Sequence, residues 1–121
     1  MTRTRQSAKA AGAAAERAVA DHLATALGDD RIDRRPKTGA KDKGDIGGLV
    51  GGPVIECKNH RAIDLASFVD EANEEARNAD APFGVAVVKR RGRASAGEGY
   101  AVMDFATFVD LLRQAGYGSP A

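Results

Sequence analysis

Three charged residues, Asp45, Glu56 and Lys58, lie within segments of the sequence that are otherwise apolar. Asp45 begins one such segment, and Glu56 and Lys58 lie in the next one along the chain. Because side chains alternate between the two faces of a β-strand, Glu56 and Lys58 are predicted to share one face. Ile55 and Cys57 then point to the other face, which we expect to be the core. The sequence thus predicts an acid and an ammonium side by side in an apolar setting.

The turn Gly51-Gly52-Pro53 separates the apolar segments 45–50 and 54–57, which is the pattern of a β-hairpin. Such a hairpin would bring Asp45 to the face that carries the glutamate and the lysine. Two neighbouring carboxylates repel each other, and burial raises the cost. A hard divalent cation such as Mg²⁺ removes this conflict, and the lysine could hold and polarise an attacking water. These residue types suit metal-assisted phosphodiester hydrolysis, although acid-x-Lys also occurs by chance in chains of this size.

Length and composition set the class of protein. The chain has 121 residues, enough for one domain with a modest core. Its 43% hydrophobic and 29% charged residues are ordinary for a soluble globular protein. No apolar run approaches transmembrane length and no apolar signal region begins the sequence, so we expect a cytoplasmic protein with no membrane partner. The single cysteine, Cys57, excludes an internal disulfide and a cysteine-based zinc cluster.

The net charge of +1 hides a segregation of charges along the chain. Segment 31–43 has six Lys or Arg against two acids, and segment 89–93 has four and no acid. Both flank the candidate site in sequence and could bind phosphates, although solvated loops have the same composition. Segment 64–80 has six acids against one arginine. We expect its acidic helix face to point to solvent, away from any DNA.

Turn and cap signals divide the chain into elements. A helix is predicted from Ser7 or Gly12 to Leu27, with Gly28 as its stop. Short strands are predicted at 31–35, 83–88 and 99–103, the second being central because it is almost entirely apolar. Asp64 and Asp104 are N-cap candidates for two further helices. We expect an α/β fold with a mixed sheet, in which 1–6 form a flexible basic arm, 7–116 a single domain and 117–121 a tail.

The apolar faces of the last helix and of the first helix lead to two further predictions. In the last helix, Phe105, Phe108 and Leu112, together with Val109, are predicted to face the core. In the first helix, Glu16 lies on the apolar stripe, where a carboxylate is costly without a partner. It is either paired with Arg17 or a nearby lysine at the edge of the stripe, or it is an outer ligand or water-holding group at the metal.

Two loop residues have alternative roles. Asp42 competes with Asp45 as a metal ligand, and we favour Asp45 because Gly44 and Ile46 place it at the start of a strand, whereas Asp42 is flanked by lysines. Thr38 lies in a basic loop and could hold a phosphate oxygen, but a surface turn is the simpler interpretation.

The order of these features has a counterpart in a known family. An early helix carries Glu16-Arg17, a basic Gly-containing loop precedes Gly44-Asp45-Ile46, and Val54-Ile55-Glu56-Cys57-Lys58 follows. After a helix comes the aromatic-Gly-apolar strand 83–88, which ends in Lys89-Arg90-Arg91-Gly92. Over about residues 8–112 the chain resembles the archaeal-type Holliday junction resolvases of the PD-(D/E)XK nuclease superfamily. It departs from the family at Gly44, where the motif has proline, and at Thr38, where many relatives have serine.

The resemblance implies a restriction-endonuclease-like fold, with a central mixed β-sheet flanked by helices. It implies that Asp45 and Glu56 bind Mg²⁺, with Mn²⁺ as a substitute, that Glu16 contributes to the same metal site, and that Lys58 assists the water. The family acts as a homodimer that places paired nicks in four-way DNA junctions. The residues expected to contact the DNA backbone are Arg34, Arg35, Lys37, Thr38, Lys41, Lys89, Arg90, Arg91 and Arg93.

Other functions remain compatible with the same residues. A flap, repair or general DNA nuclease of the superfamily would use the same catalytic set and differ only in its substrate. A non-catalytic DNA-binding subunit with this fold is the alternative from another class. The presence of Asp45, Glu56 and Lys58 together favours an enzyme, because a degenerate module would be expected to have lost one of them.

Overall fold

The computed structural model describes residues 4–36 and 41–120. The elements are α1 (Arg5–Leu27), β1 (Asp33–Arg34), β2 (Ile46–Gly47), β3 (Val54–Lys58), α2 (Leu65–Asn78), β4 (Gly84–Val88), a 3-10 turn (Ala96–Glu98), β5 (Tyr100–Val102) and α3 (Phe105–Gln114). The predicted order of helices and strands is therefore confirmed. Across 4–36 and 41–120, no helix combines the length and the apolar character that spanning a membrane requires.

The first two helices have well-defined caps. Thr4 Oγ1 accepts a hydrogen bond from Ser7 N–H at 3.0 Å, so α1 begins at Arg5, earlier than Ser7, and Arg5 and Gln6 are helical rather than part of an arm. Gly28 ends α1 in the left-handed conformation, as predicted. At the start of α2, Asp64 Oδ1 accepts from Ser67 N–H at 3.2 Å, which confirms the predicted N-cap.

The main sheet has three strands in the order β3-β4-β5. β3 and β4 are parallel, with Glu56 opposite Ala86 and Lys58 opposite Val88, and α2 connects them. β4 and β5 are antiparallel. The main sheet is therefore mixed, as predicted, and its central strand is the apolar strand β4, which confirms the prediction made for 83–88.

The predicted β-hairpin of segments 45–50 and 54–57 is wrong. β2 pairs with β1 in a separate antiparallel ladder, and its link to β3 includes the bond from Asp45 N–H to Ile55 C=O at 2.9 Å. The reason lies in the backbone at Gly48, where φ is 94° and a Cβ atom would lie 2.3 Å from the Arg31 carbonyl oxygen. This close approach places Gly48 against the chain that leads into β1. The approach also ends β2 after two residues.

Helices pack on both faces of β3. On one face, Val19 and Ala20 of α1 form an apolar cluster that includes Ile55 of β3 and Val85 of β4. On the other face, Phe68 of α2 packs with buried residues of β4. Adjacent residues of β3 therefore face different helices. The prediction that Glu56 and Lys58 share one face of the strand and Ile55 faces the other is confirmed.

The last helix does not pack as predicted. Phe105, Phe108 and Leu112 are 77%, 45% and 37% exposed, and α3 contains no buried residue. The expected core face of α3 is therefore wrong for Phe105, Phe108 and Leu112 in the single chain, whereas Val109 is half-buried. The two apolar clusters form between the sheet and the helices α1 and α2, and they include no residue of α3. The helix leaves an apolar stripe at the surface.

Candidate metal and catalytic site

Three carboxylates from three separate parts of the chain converge on the α2 face of β3. They belong to Asp42 in the loop before β2, Glu56 in β3 and Glu75 in α2, and ligand oxygens from the three lie within 4.8 Å of one another. Glu56 and Glu75 are buried, at 9% and 7% exposure, whereas Asp42 is exposed. The cluster is therefore open to solvent on the side of Asp42.

Local structure accounts for each position. Glu56 faces α2 because it alternates with Ile55 along β3. Glu75 lies three residues after Ala72 and seven after Phe68, so the helical repeat places it on the buried side of α2. Asp42 is held in place by Gly44 N–H, which donates to its Oδ1 at 2.9 Å, and its carbonyl accepts from Asn78 Nδ2 of α2 at 3.0 Å.

Two oxygens of this cluster are buried without a hydrogen bond. Within 4–36 and 41–120, Glu56 Oε2 and Glu75 Oε2 have no hydrogen-bond partner. A buried carboxylate oxygen left unpaired is costly, so such groups usually bind a proton, an ion or water. The two oxygens therefore mark a place where a cation would be stabilised.

Burial raises the pKa of both glutamates. For Glu75, burial and then hydrogen bonds with Glu56 and Asp42 raise the pKa to about 10, so its carboxyl is protonated at neutral pH when no cation is bound. For Glu56, burial raises the pKa, a hydrogen bond from Glu75 lowers it, and the charge of Asp45 raises it, with a net rise. A divalent cation can take the place of the shared proton. All the donors are carboxylate oxygens, which suit Mg²⁺ or Mn²⁺.

Lys58 lies beside the carboxylates as a buried ammonium. Its Nζ is 3.4 Å from Glu56 Oε1, donates a hydrogen bond to Glu71 Oε2 and lies 5.4 Å from the ring centroid of Phe68. Burial lowers the pKa of Lys58, but the hydrogen bond to Glu71 and the charges of Glu56 and Glu71 outweigh it and raise the pKa overall. Lys58 is therefore a charged hydrogen-bond donor at neutral pH and not a proton acceptor.

Asp45 lies next to this cluster but outside it. It is 2% exposed, and its Oδ2 accepts a hydrogen bond from Cys57 N–H at 2.7 Å. This contact joins the start of β2 to β3 and brings the negative charge near Glu56. The metal-binding role predicted for Asp45 stays a prediction, and the structure places Asp42, the competing residue, in the cluster instead.

The glycine before Asp45 has a backbone conformation that proline cannot adopt. Gly44 has a φ of 94°, and a Cβ atom there would lie 2.6 Å from Val54 Cγ1. Proline is locked near a φ of −65°, so it could not adopt this backbone. In this chain the loop that carries Asp42 reaches Asp45 through a conformation that favours glycine.

Glu16 pairs with Arg34, which was not among the expected partners. Its Oε1 accepts from Arg34 Nε at 3.2 Å and from Arg34 Nη2 at 3.1 Å, and its side chain is only 13% exposed. Arg17 instead pairs with Asp21 and Asp33. Glu16 does not belong to the three-carboxylate cluster, and its predicted contribution to a metal site stays a prediction.

The residues predicted to contact DNA fall into three groups. Arg34 is held by Glu16, and Arg35 is half-buried, with an Nε that has no hydrogen-bond partner within the described ranges. Lys37 and Thr38 lie outside the described residues. The exposed remainder comprises Lys41, before the cluster, and Lys89, Arg90, Arg91 and Arg93 in the turn after β4.

The expectation that the acidic face of α2 points to solvent holds for Asp70 and Glu74 but is wrong for Glu75. Glu71 is half-exposed and pairs with Lys58. Sequence reasoning missed both residues because it treated the acids as one face. The signal was present in the helical repeat, since Glu75 follows the apolar positions 68 and 72 at spacings of seven and three.

Comparisons of this chain with models of protein families, with curated proteins and with solved structures found no match. The site is therefore interpreted from its own geometry and chemistry.

Proposed function

We propose that this chain is a metal-dependent endodeoxyribonuclease that hydrolyses DNA phosphodiester bonds. The observation that carries the proposal is the convergence of Asp42, Glu56 and Glu75 beside the buried ammonium of Lys58. Two of these carboxylates have buried oxygens without a partner in the described part of the chain. Burying these carboxylates lowers the stability of the fold, but the arrangement is suited to holding a divalent cation next to a positively charged donor.

Each residue has a distinct role in the proposed reaction. Glu56 and Glu75, with Asp42 from the open side, would hold Mg²⁺, and Asp45 adds negative charge next to them. When bound, the cation supplies Lewis-acid polarisation of the phosphate and lowers the pKa of water. Lys58 donates hydrogen bonds to the attacking water or to the phosphate.

Glu71 and Phe68 restrict the position of Lys58. Glu71 accepts a hydrogen bond from its ammonium, and the Phe68 ring lies 5.4 Å from it. These contacts keep the charge beside Glu56, where preorganised donors stabilise charge that develops in a transition state. The exposed cations in the turn after β4 would bind the phosphates on either side, which positions DNA without reading its sequence.

Four-way junctions are the substrate that we propose, on the basis of the sequence resemblance. Paired nicks across a junction need two active sites, and therefore a homodimer. The exposed apolar stripe of Phe105, Phe108 and Leu112 supports self-association, because a contiguous apolar patch on a small domain is typical of an interaction surface. A second copy that covers this stripe would complete the burial that α3 lacks in the single chain.

The test is cleavage of labelled synthetic DNAs: an immobile four-way junction, a flap, a duplex and a single strand. Each is incubated with Mg²⁺, with Mn²⁺ or with chelator. We expect symmetric, metal-dependent nicks in the junction. Equal or better cutting of the flap or the duplex would retain the nuclease and reject the junction assignment, and cutting of no DNA with either metal would favour the non-catalytic DNA-binding subunit.

Matched variants connect the activity to the cluster. Glu75→Gln removes one proposed ligand, and Glu74→Gln, one residue earlier on α2, removes an exposed carboxylate of the same kind. We expect cleavage to be lost in the first variant and retained in the second. Equal cleavage by the two variants would refute the assignment of Glu75.

A further inference from the structure

A cleft lies beyond the candidate site, where the parallel strands β3 and β4 both end. It has a volume of about 550 Å³ and is lined by Asn59 and Lys89, which directly follow the two strands, and by Tyr100 at the start of β5. This volume is within the range of about 300–1,000 Å³ that is usual for small-molecule and cofactor sites. The carboxyl ends of strands in α/β sheets are also a common place for ligands.

The charge of the cleft is positive. Arg61, Lys89 and Arg91 supply three cations, and none of the described residues that line the cleft is acidic. Lys89 N–H donates to the carbonyl of Lys58 at 2.9 Å, which ties its backbone to the end of β3. Lys89 Nζ donates to the carbonyl of Arg93 at 3.3 Å, which holds the ammonium against the turn after β4. An anionic ligand is therefore favoured over a neutral or cationic one.

The cleft also offers an aromatic surface. Tyr100 is 49% exposed, and the guanidinium of Arg90 lies 5.8 Å from the centroid of its ring. An exposed tyrosine with an adjacent arginine is the combination on which nucleobases stack in proteins that bind single strands. The cleft thus joins a surface for a base with cations for a phosphate.

Ring contacts link the cleft to the candidate catalytic residues. The ring of Phe68, which contacts the Lys58 ammonium, meets the imidazole of His60 edge-on with ring centroids 5.1 Å apart. His60 in turn lines the cleft. Asn59, which directly follows Lys58, also lines the cleft, so the cleft lies next to the end of β3 that carries Lys58.

We infer that this cleft binds an unpaired nucleotide of single-stranded DNA, with its base stacked on Tyr100 and its phosphate held by Arg61, Lys89 and Arg91. The inference rests on the proposed function in one respect, since the nucleotide would belong to the strand that is cut. It adds to that function a base contact next to the scissile phosphate, made when a base unpairs at the branch point of the junction. Binding to the cleft requires neither metal nor cleavage, so it can be tested separately.

The two tyrosines of the chain and the absence of tryptophan give a direct readout. Tyr117→Phe leaves Tyr100 as the only tyrosine, and Tyr100→Phe leaves Tyr117. Each variant is titrated in chelator and low salt with a short oligothymidylate and with an abasic oligomer of the same length and charge. We expect saturable quenching of Tyr100 emission by the oligothymidylate only, and no such quenching of Tyr117.

Affinity is measured in parallel by the anisotropy of labelled oligomers. Tyr100→Ala should weaken the binding of oligothymidylate about tenfold, whereas Tyr117→Ala, an exposed tyrosine in the tail, should leave it unchanged. Because Tyr100→Phe keeps a stacking ring, it should bind like the wild type, which controls for a folding defect in the alanine variant. Equal affinity for the abasic and the base-containing oligomer, or no quenching of Tyr100, would overturn the inference.

The outcome also separates this inference from the proposed function. Lys58→Ala should lose cleavage and retain the quenching of Tyr100. Quenching without cleavage in any variant or substrate would leave the nucleotide cleft in place and reject the nuclease. Cleavage without quenching of Tyr100 would support the nuclease and reject the nucleotide cleft.

Discussion

The two faces of β3 are buried to a similar extent but differ in chemistry. Ile55, on the α1 face, is 6% exposed and packs with aliphatic residues. Glu56 and Lys58, on the α2 face, are 9% and 6% exposed and meet the acids of α2. Burial of aliphatic groups stabilises the fold, whereas burial of unpaired carboxylates costs stability. One strand of five residues therefore carries a core on one side and a candidate reactive site on the other.

The aliphatic face should be the more sensitive of the two in stability. Ile55→Ala is expected to destabilise the protein by about 2–5 kcal/mol because it leaves a cavity in the α1 cluster. Urea denaturation followed by circular dichroism measures this free energy of unfolding. Val50→Ala, at a position that is 93% exposed, is the control and should change it by less than about 0.5 kcal/mol. Similar effects in both variants would show that this face is not the core.

The polar face should be the more sensitive in activity. Lys58→Ala is expected to lower the rate of junction cleavage at least 10²- to 10³-fold, the usual cost of removing a preorganised donor, while junction binding persists. Lys9→Ala, on an exposed part of α1, is the matched control and should cleave normally. A Lys58→Ala variant that cuts at the wild-type rate would refute the site.

The two aspartates beside the site can be distinguished in the same assay. Asp45→Asn removes a charge but retains an oxygen that can accept from Cys57 N–H, and Asp42→Asn removes a member of the cluster. If the cation binds Asp45, as the resemblance implies, Asp45→Asn abolishes cleavage and retains junction binding. If only Asp42→Asn abolishes cleavage, the open side of the site is formed by Asp42 alone.

The cost of the buried acids should appear as a dependence of stability on pH. The folded pKa of Glu75 is raised above its ordinary value of 4.5, to about 10, by burial and by Glu56 and Asp42. In chelator, its stabilising contribution is therefore complete below about pH 4.5 and is lost as the pH rises through the folded pKa, because the unfolded chain releases the proton first. Glu75→Gln, which carries no titrating proton, should be more stable than the wild type by about 1–3 kcal/mol at pH 8 and should lack this decline.

Urea denaturation in chelator at pH 5 and pH 8 gives the comparison, with Glu74→Gln as the exposed control. Addition of Mg²⁺ at pH 8 should raise the melting temperature of the wild type and not that of Glu75→Gln, since a ligand stabilises only the state that binds it. If the free energies of unfolding of Glu75→Gln and Glu74→Gln changed with pH in the same way, Glu75 would not be the group that destabilises the protein at high pH.

The smallest expected effect on the single chain is at α3, outside both faces of β3. Phe105→Glu should change the stability of the monomer by less than about 0.5 kcal/mol, because Phe105 is 77% exposed. It should nevertheless convert a dimer to a monomer in sedimentation velocity experiments. Val50→Glu alters another exposed apolar residue and should leave the assembly intact. A wild-type protein that is monomeric at high concentration would exclude α3 as a dimer surface.

Local patterns in the sequence predicted much of this protein correctly. The helix caps at Asp64 and Gly28, the buried central strand, the mixed sheet and the shared face of Glu56 and Lys58 were all predicted. Each depends on a short-range property, either the chemistry of a chain terminus or the two-residue period of a strand. These properties act within a few residues and are visible in the sequence itself.

The tertiary structure decided which distant residues meet. The hairpin prediction was wrong because the close backbone approach at Gly48 directs β2 to β1. Glu75 entered the site because α2 crosses from β3 to β4 with that residue turned towards Glu56, and Asp42 entered because its loop is tied to Asn78. Such long-range contacts depend on how whole helices and strands pack. The free-energy cost of burying a carboxylate likewise depends on neighbours that are distant in the sequence. The sequence alone therefore determined the strand that carries the site, and packing selected the carboxylates that complete it.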